Sequence, residues 1–214
     1  KRPFIKVKMA ISNDQKIAWP NYSSKWISNP KSRKYAHKLR FQSQAILTTA
    51  KTVIKDNPRF TVRKNHSVIK YLPIIIIDKN LRIPLKSKVL KEMSKRRIII
   101  FTSINNKKSD KLKLLGCEIM MTKANVSKEL NLNFIMKKIL SMNINNILVE
   151  SGGIFFTKLL MKKLVDELHL FQAPHNIGKS GKPMIIDKKL QDLDLKEITK
   201  KTFGKDIYHR FLIK

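Results

Sequence analysis

The sequence predicts an α/β fold with a mostly parallel central sheet flanked by helices and an antiparallel C-terminal edge. Three observations predict it. Strand-like and helix-like stretches alternate over most of the chain, the pattern of parallel strands joined by crossover helices. Two stretches, Leu72–Asp78 and Arg97–Thr102, are nearly unbroken apolar runs, as expected of strands buried on both faces. The tail, Leu195 to Lys214, reads as two strands joined near Gly204-Lys205.

Each element follows in order. Ile5, Val7, Met9 and Ile11 alternate with Lys6, Lys8 and Ala10, a period of two that marks a strand. A polar loop, Ser12 to Lys25, follows. Ser28-Asn29-Pro30 places cap residues ahead of a proline, so a helix starts there and runs to about Gln42. Ala45–Thr48 is a short strand. The helical turn after it stops at Asn57-Pro58, because a residue before proline is driven out of helical backbone. Beyond the two buried runs, Glu118–Thr122 is a third strand. Leu132, Ile135, Met136, Ile139 and Leu140 are spaced for one face of a helix. Asn146–Glu150 is the next strand, then Gly152-Gly153 opens a helix to about Lys163, and Val165–Pro174 is a strand again. No repeat, low-complexity linker or boundary interrupts the 214 residues, so one domain over 1–214 is expected.

The formal net charge is +31, and of 46 basic residues only nine are Arg. A nucleic-acid or membrane partner is one reading. The other is compositional: Lys, Ile and Asn are the residues of AT-rich codons, and these lysines are scattered rather than gathered, as on a solvated face. Either way the field attracts phosphorylated ligands. No run approaches the roughly 20 apolar residues of a membrane helix, and no signal-peptide core follows Lys1-Arg2-Pro3, so a soluble, cytoplasmic protein is expected. A lone Cys117 excludes an intrachain disulfide and a multi-cysteine zinc site. The five His form no H-x-x-x-H pair, so no metal site is expected.

Three places suit chemistry. In Val149-Glu150-Ser151-Gly152-Gly153 a buried strand ends in a carboxylate and two glycines open a helix. Glycine lets a phosphate reach the backbone, and a helix start favours an anion; an ordinary strand–helix turn has the same pattern. It is neither G-x-G-x-x-G nor a Walker A loop. Second, Arg33, His37 and Arg40 share one helix face, suited to a phosphate or simply to solvent. Third, Asp56 stands in a turn near Arg59 and Arg63, as a reacting carboxylate or as a turn-forming Asp before Asn-Pro. Cys117 reads as buried packing rather than a nucleophile, and no G-x-S-x-G elbow is present.

In this order the segments resemble the reductase domain of the riboflavin-biosynthesis deaminase–reductase. The resemblance rests on Lys8-Met9-Ala10-Ile11-Ser12-Asn13-Asp14, Ser24-Lys25-Trp26-Ile27, Leu39-Arg40, Ala45-Ile46-Leu47, Thr52-Val53, Asp56-Asn57-Pro58 and Thr61-Val62-Arg63. It continues through Ile77-Asp78, Ile147–Gly153, Leu164-Val165-Asp166-Glu167-Leu168, Ala173-Pro174 and Ile177-Gly178. It implies a dihydrofolate-reductase-like fold and NADPH-dependent reduction of 5-amino-6-(5-phosphoribosylamino)uracil, opening the ribose to a ribityl chain. It carries cofactor contacts to Ala10, Trp26, Thr52, Asp56, Gly152, Gly153, Ile154, Phe155, Phe156 and Thr157. It carries substrate contacts to Ser24, Arg40, Phe60, Arg63 and Glu150, and matches Lys8 to a lysine of the active-site strand. Arg40 and Arg63 suit a 5′-phosphate, and Asp56 suits a charge developing at the reacting carbon, so Asp56 and Lys8 are the catalytic candidates. A homodimer is implied.

The sequence departs from the family pattern at Gln15, where glycine is usual, in the spacing of Glu150 from the glycines, and at Trp19-Pro20 in the first loop. The zinc-deaminase signatures H-x-E and P-C-x-x-C are absent, so a stand-alone reductase is expected, with a separate deaminase supplying its substrate. A reductase of dihydrofolate or another pterin is the alternative within the fold. A basic nucleic-acid-binding protein is the alternative outside it, weakened by an aromatic content of only 7% and by the lack of a recognition motif. A degenerate structural relic is disfavoured by the intact motif set.

Overall fold

The computed structural model describes residues 1–21, 23, 27–124 and 129–214. Along the chain lie β1 (Phe4–Ile11), β2 (Lys16–Ala18), α1 (Pro30–Phe41), β3 (Ala45–Thr49), α2 (Ala50–Asp56), β4 (Val62–Lys64), β5 (Ser67–Lys70) and β6 (Ile74–Ile77). After a 3₁₀ segment, Lys88–Lys95, come β7 (Ile98–Thr102), α3 (Lys107–Leu114), β8 (Glu118–Met121), α4 (Leu132–Leu140), β9 (Asn146–Val149) and α5 (Gly153–Met161). The last elements are β10 (Glu167–Gln172), β11 (Lys182–Pro183), a 3₁₀ turn at Leu190–Asp192, β12 (Leu195–Phe203) and β13 (Asp206–Ile213). The fold is α/β, with mostly parallel strands and an antiparallel C-terminal edge, as the sequence predicts.

The chain forms two compact units. One comprises Lys1–Pro3 and Arg40–Ile147, the other Phe4–Leu39 and Leu148–Lys214. In the first, β3, β6, β7 and β8 pair in parallel in that order, with Ile46 opposite Ile74, Ile74 opposite Ile98 and Ile99 opposite Glu118. The side chains of Ile74–Ile76 and Ile98–Phe101 are fully buried, which explains their unbroken apolar runs. The core gathers Val53 of α2, Phe60, Val62, Val89, Leu90, Leu112 of α3 and Cys117 onto this sheet. Helix α2 begins at Thr49, whose hydroxyl accepts from Thr52 N at 3.3 Å. It ends at Asn57, left-handed at φ 42°, just ahead of Pro58.

In the second unit β1 pairs in parallel with β10, from Lys6 opposite Glu167 to Ile11 opposite Gln172. β10 pairs antiparallel with β13, and β12 folds back on β13 through Gly204, at φ +64°. Gly204 supplies the positive φ that the turn requires. Helix α1 starts as Asn29-Pro30 suggests: the Asn29 side chain accepts from Ser32 N at 3.0 Å. A distant residue completes this start, since the Asp206 carboxylate accepts from Asn29 N (2.8 Å) and Ser32 Oγ (2.6 Å). Phe155, Phe156 and Leu159 of α5 are buried. The polar loop after β1 also carries β2, paired with β11, which the sequence reading did not anticipate.

Candidate active site

The glycine turn after β9 belongs to the second unit. Gly152 caps α5 in extended backbone (φ −82°, ψ 171°) and offers the helix start no side-chain cap. A Cβ built on Gly152 meets nothing within 4 Å, whereas one on Gly153 lies 2.6 Å from the carbonyl oxygens of Pro183 and Met184. The two glycines therefore serve different ends: Gly153 lets a backbone pack against the helix, and Gly152 leaves space open. Phe155 N and Phe156 N both donate to Gly152 O at 3.2 Å. The N–H groups of Gly153 and Ile154 thus mark the end of the helix where an anion gains from the dipole. The Phe156 side chain is fully buried and Phe155 nearly so, while Ile154 is half exposed. The Thr157 hydroxyl donates to Gly153 O (2.9 Å) and accepts from Ile186 N (3.0 Å), tying the helix to the segment that crosses Gly153. Glu150 is half buried just ahead of this turn. The neighbouring Ser151 Oγ is buried with no hydrogen-bond partner among the described residues.

On β1, Lys8 and Ala10 point to the same face as their register partners His169 and Phe171. The Lys8 ammonium lies 5.8 Å from the centre of the Phe171 ring. Beyond β1, Asp14 holds a loop together: it accepts from Ser12 Oγ (2.5 Å), Ile177 N (3.0 Å) and Gly178 N (2.7 Å). Burial alone would raise its pKa; these hydrogen bonds outweigh it and hold the carboxyl at about 2. Gln15 sits at φ 60°, the conformation that explains why glycine suits the position. Its side chain accepts from Leu190 N (3.2 Å) and its carbonyl from Met184 N (3.2 Å). The expected substrate contact Ser24 and cofactor contact Trp26 lie outside the described residues.

In the first unit, Thr52 and Asp56 mark the start and end of α2. The Thr52 hydroxyl lies 3.1 Å from that of Thr49, and Asp56 is exposed. The segment after α2 is held in an unusual way. Phe60 is buried at φ 52°, a left-handed backbone that costs an L-residue roughly 1–2 kcal/mol. Arg40, in the last turn of α1, donates to Thr61 O at 2.9 Å, and its guanidinium lies 5.8 Å from the centre of the Phe60 ring. Arg96, only 8% exposed, donates to Arg59 O (2.5 Å), Phe60 O (3.2 Å) and Val89 O (3.4 Å). Burial lowers the Arg96 pKa to about 10; Glu92 and Tyr71 oppose the shift and Arg40 adds to it. Arg96 thus stays charged at neutral pH. Arg63 is exposed on β4, opposite Val68 of β5. Of the basic helix face read from sequence, Arg33 donates to Ser28 O (2.5 Å) and Arg40 to Thr61 O, so both support backbone.

Sequence reasoning missed Arg96, the loop-closing role of Asp14, which it quoted only within a motif, and a buried polar row in the second unit. Among 46 basic residues nothing marks one that folds inward. In the polar row, His169 Nε2 lies 3.0 Å from Glu167 Oε2 and His169 Nδ1 lies 2.7 Å from Tyr208 Oη, while Arg210 pairs with Glu167 Oε1. Cys117 is buried beside Met93, its Sγ 3.4 Å from the thioether, and burial pushes the thiol up to about 11, as befits packing. Among the described residues no three His, Cys, Asp or Glu come together in a way that would hold a metal ion, and no helix is long and apolar enough to cross a membrane.

The α/β fold is of the dihydrofolate-reductase-like class, the fold the resemblance implies. The chain belongs to the RibD C-terminal domain family, which matches residues 3–209. It is 37% identical over 179 residues to the riboflavin biosynthesis protein RibD of Aquifex aeolicus, covering 83% of this chain and 48% of that protein. It is 25% identical over 194 residues, 87% of each chain, to the 2,5-diamino-6-ribosylamino-4(3H)-pyrimidinone 5′-phosphate reductase of Archaeoglobus fulgidus. A solved structure of Acinetobacter baumannii RibD superposes with a TM-score of 0.84 at 23% identity, covering 100% of this chain and 58% of that one. The chain spans about half the length of the RibD proteins it matches.

Proposed function

We propose that residues 1–214 act as one reductase domain. It converts the ribosyl group of 5-amino-6-(5-phosphoribosylamino)uracil to the ribitylamino product in riboflavin biosynthesis, with NADPH as cofactor, as a cytoplasmic homodimer. The observation that carries this reading is membership of the RibD C-terminal domain family over residues 3–209, supported by a relative named as a pyrimidinone 5′-phosphate reductase over 87% of each chain. The open space at Gly152 and the uncapped start of α5 fit a phosphate group of the cofactor. Gly152, Gly153 and Ile154 would hold it through backbone N–H groups. Phe155 and Phe156 serve by packing the helix, and Thr157 by fixing it. Ala10, Thr52, Asp56 and Trp26 complete the cofactor set.

When bound, NADPH supplies a hydride to C1 of the sugar. Reduction of the open-chain imine forms one C–H bond at C1, and a proton from solvent or an acid is taken up at nitrogen. The chain's own residues position the substrate and balance charge; no protein nucleophile is needed. By the family resemblance, Arg40 and Arg63 are assigned to the phosphate, Glu150 and Ser24 to the ribose and pyrimidine donors, and Phe60 to a substrate contact through its backbone. Asp56 stabilises positive charge at the imine, and Lys8 stands on the active-site strand.

The test is NADPH oxidation, followed by absorbance, on adding enzymatically prepared substrate to the purified chain. Turnover that disappears in Glu150→Ala supports the reading. Arg40→Ala should also abolish it, and is the less specific variant because it releases the Thr61 carbonyl as well. Dihydrofolate in place of the pyrimidine should give no oxidation. Absence of turnover with the pyrimidine would overturn the assignment, and a monomer by light scattering would overturn the homodimer.

A further inference from the structure

We propose that Arg96 is a positioning residue for the segment Arg59–Arg63, fixing the backbone from which Phe60 and Arg63 meet the substrate; this rests on the proposed reductase function. Three successive carbonyls of this segment are each taken by a guanidinium: Arg59 O and Phe60 O by Arg96, Thr61 O by Arg40. A third Arg96 bond, to Val89 O at 3.4 Å, anchors the fork in the 3₁₀ segment Lys88–Lys95. A second link joins the same parts, since Lys88 N donates to the Asn57 side chain at 2.8 Å. The chain between them contains Phe60 in left-handed backbone, which persists only where its surroundings over-determine it.

Arginine is required by geometry. Its planar fork presents several donors in fixed directions, whereas a lysine ammonium is a point charge on a flexible stem. The interactions are also those of a support. Arg96 is buried, its fork is aimed at backbone carbonyls, and its Nε has no hydrogen-bond partner among the described residues. Loosening Arg96 lets Phe60 relax toward negative φ. That turns the peptide leading into β4 and displaces Arg63, the middle residue of that strand. The cofactor residues of α2 lie before the held segment, so the effect falls on substrate rather than cofactor.

The experiment is Arg96→Lys in the full chain, with Val89→Ala as the control that trims the same packing but keeps the carbonyl Arg96 holds. In Arg96→Lys the substrate KM should rise about tenfold, with kcat and the NADPH KM each within about twofold, the signature of lost substrate positioning. Amide exchange of β4, paired to β5 just after the held carbonyls, should quicken by about tenfold or more. Val89→Ala should lower the unfolding midpoint without moving the substrate KM. The proposal is overturned if folded Arg96→Lys keeps both the substrate KM and slow exchange, or if Val89→Ala raises the KM equally. Should Arg96→Lys not fold, exchange of the paired β4 amides in the unsubstituted chain decides: protection there comparable to β3 supports the hold, and free exchange there sinks it. A wild-type chain that does not reduce the pyrimidine at all defeats the reductase reading, and the exchange measurements then still decide whether Arg96 holds the segment.

Discussion

Gly152 and Gly153 adjoin in sequence and answer to different constraints. A Cβ on Gly153 would sit 2.6 Å from two backbone oxygens, which cannot swing aside as a flexible side chain does. Gly153→Ala should therefore cost about 2–3 kcal/mol, the range for overpacking a rigid site, read as a lowered urea midpoint. Gly152→Ala meets open space in backbone that alanine adopts freely, so stability should change by no more than about 1 kcal/mol, the cost of alanine at a helix cap. Its methyl group fills the space beside the helix start, however, and the Kd for NADPH should rise on the order of tenfold. If Gly152→Ala binds NADPH as the parent does, the cofactor phosphate does not lie at this turn. The pair was legible in sequence as a glycine turn opening a helix. The division of labour was not, because Pro183 and Met184 meet Gly153 only once the chain has folded.

Neighbouring strands set a pH dependence that no single strand shows. Across β1, β10 and β13 one sheet face carries Lys6, Glu167 and His169, then Arg210 and Tyr208. A carboxylate only accepts, so His169 Nε2–H donates to Glu167; burial keeps the imidazole neutral at pH 7, which leaves Nδ1 to accept from the Tyr208 hydroxyl. Burial holds its pKa at about 4; Glu167 opposes this, and Arg210 and Lys6 add to it. The unfolded chain takes up this proton as pH falls through about 6.5, ahead of the folded chain, so stability is full above that value and is lost as pH falls toward 4. Glu167, lowered from its usual range despite burial by Arg210 and His169, acts in the same direction at lower pH. The urea-derived stability should fall by about 2 kcal/mol between pH 7 and pH 5, and His169→Gln should flatten that slope even if it is less stable at pH 7. An unchanged slope in His169→Gln would show that other groups carry the acid sensitivity. At this scale the sequence was informative wherever burial imposed a period. β1, β3, β6, β7, β8, β9, β10, β12 and β13, with helices α1, α2, α4 and α5, were read from apolar spacing, caps, proline and the glycine turn. β2 and β11, at three and two residues, are too short to show a period. α3 (KKSDKLKL) buries only Ser109 and Leu112, and its start is fixed by Asn106 and Ser109 rather than by an apolar stripe.

For the molecule as a whole, 46 basic residues against 15 acidic ones raise a field that no residue pair accounts for. Such a field gathers anions before any specific contact forms, and it acts on rate of encounter more than on chemistry. The two readings of the charge part here. If the lysines are a solvated, compositional surface, a phosphorylated substrate gains only the long-range attraction, which salt removes as the screening length shrinks from about 10 Å at 0.1 M to about 3 Å at 1 M. The substrate KM should then rise several-fold, about three to ten, between 0.05 M and 0.5 M salt, while kcat stays level because the closely held contacts are screened far less. Duplex DNA should compete at the lower salt and cease to do so by about 0.2 M, as binding through phosphates alone weakens steeply with salt. If the lysines instead form a nucleic-acid surface, DNA should still bind in micromolar protein at 0.2 M and leave the substrate KM unaffected while it does so. Measuring KM and DNA competition across one salt series distinguishes the two, and a KM indifferent to salt would show that the charge takes no part in capturing the substrate.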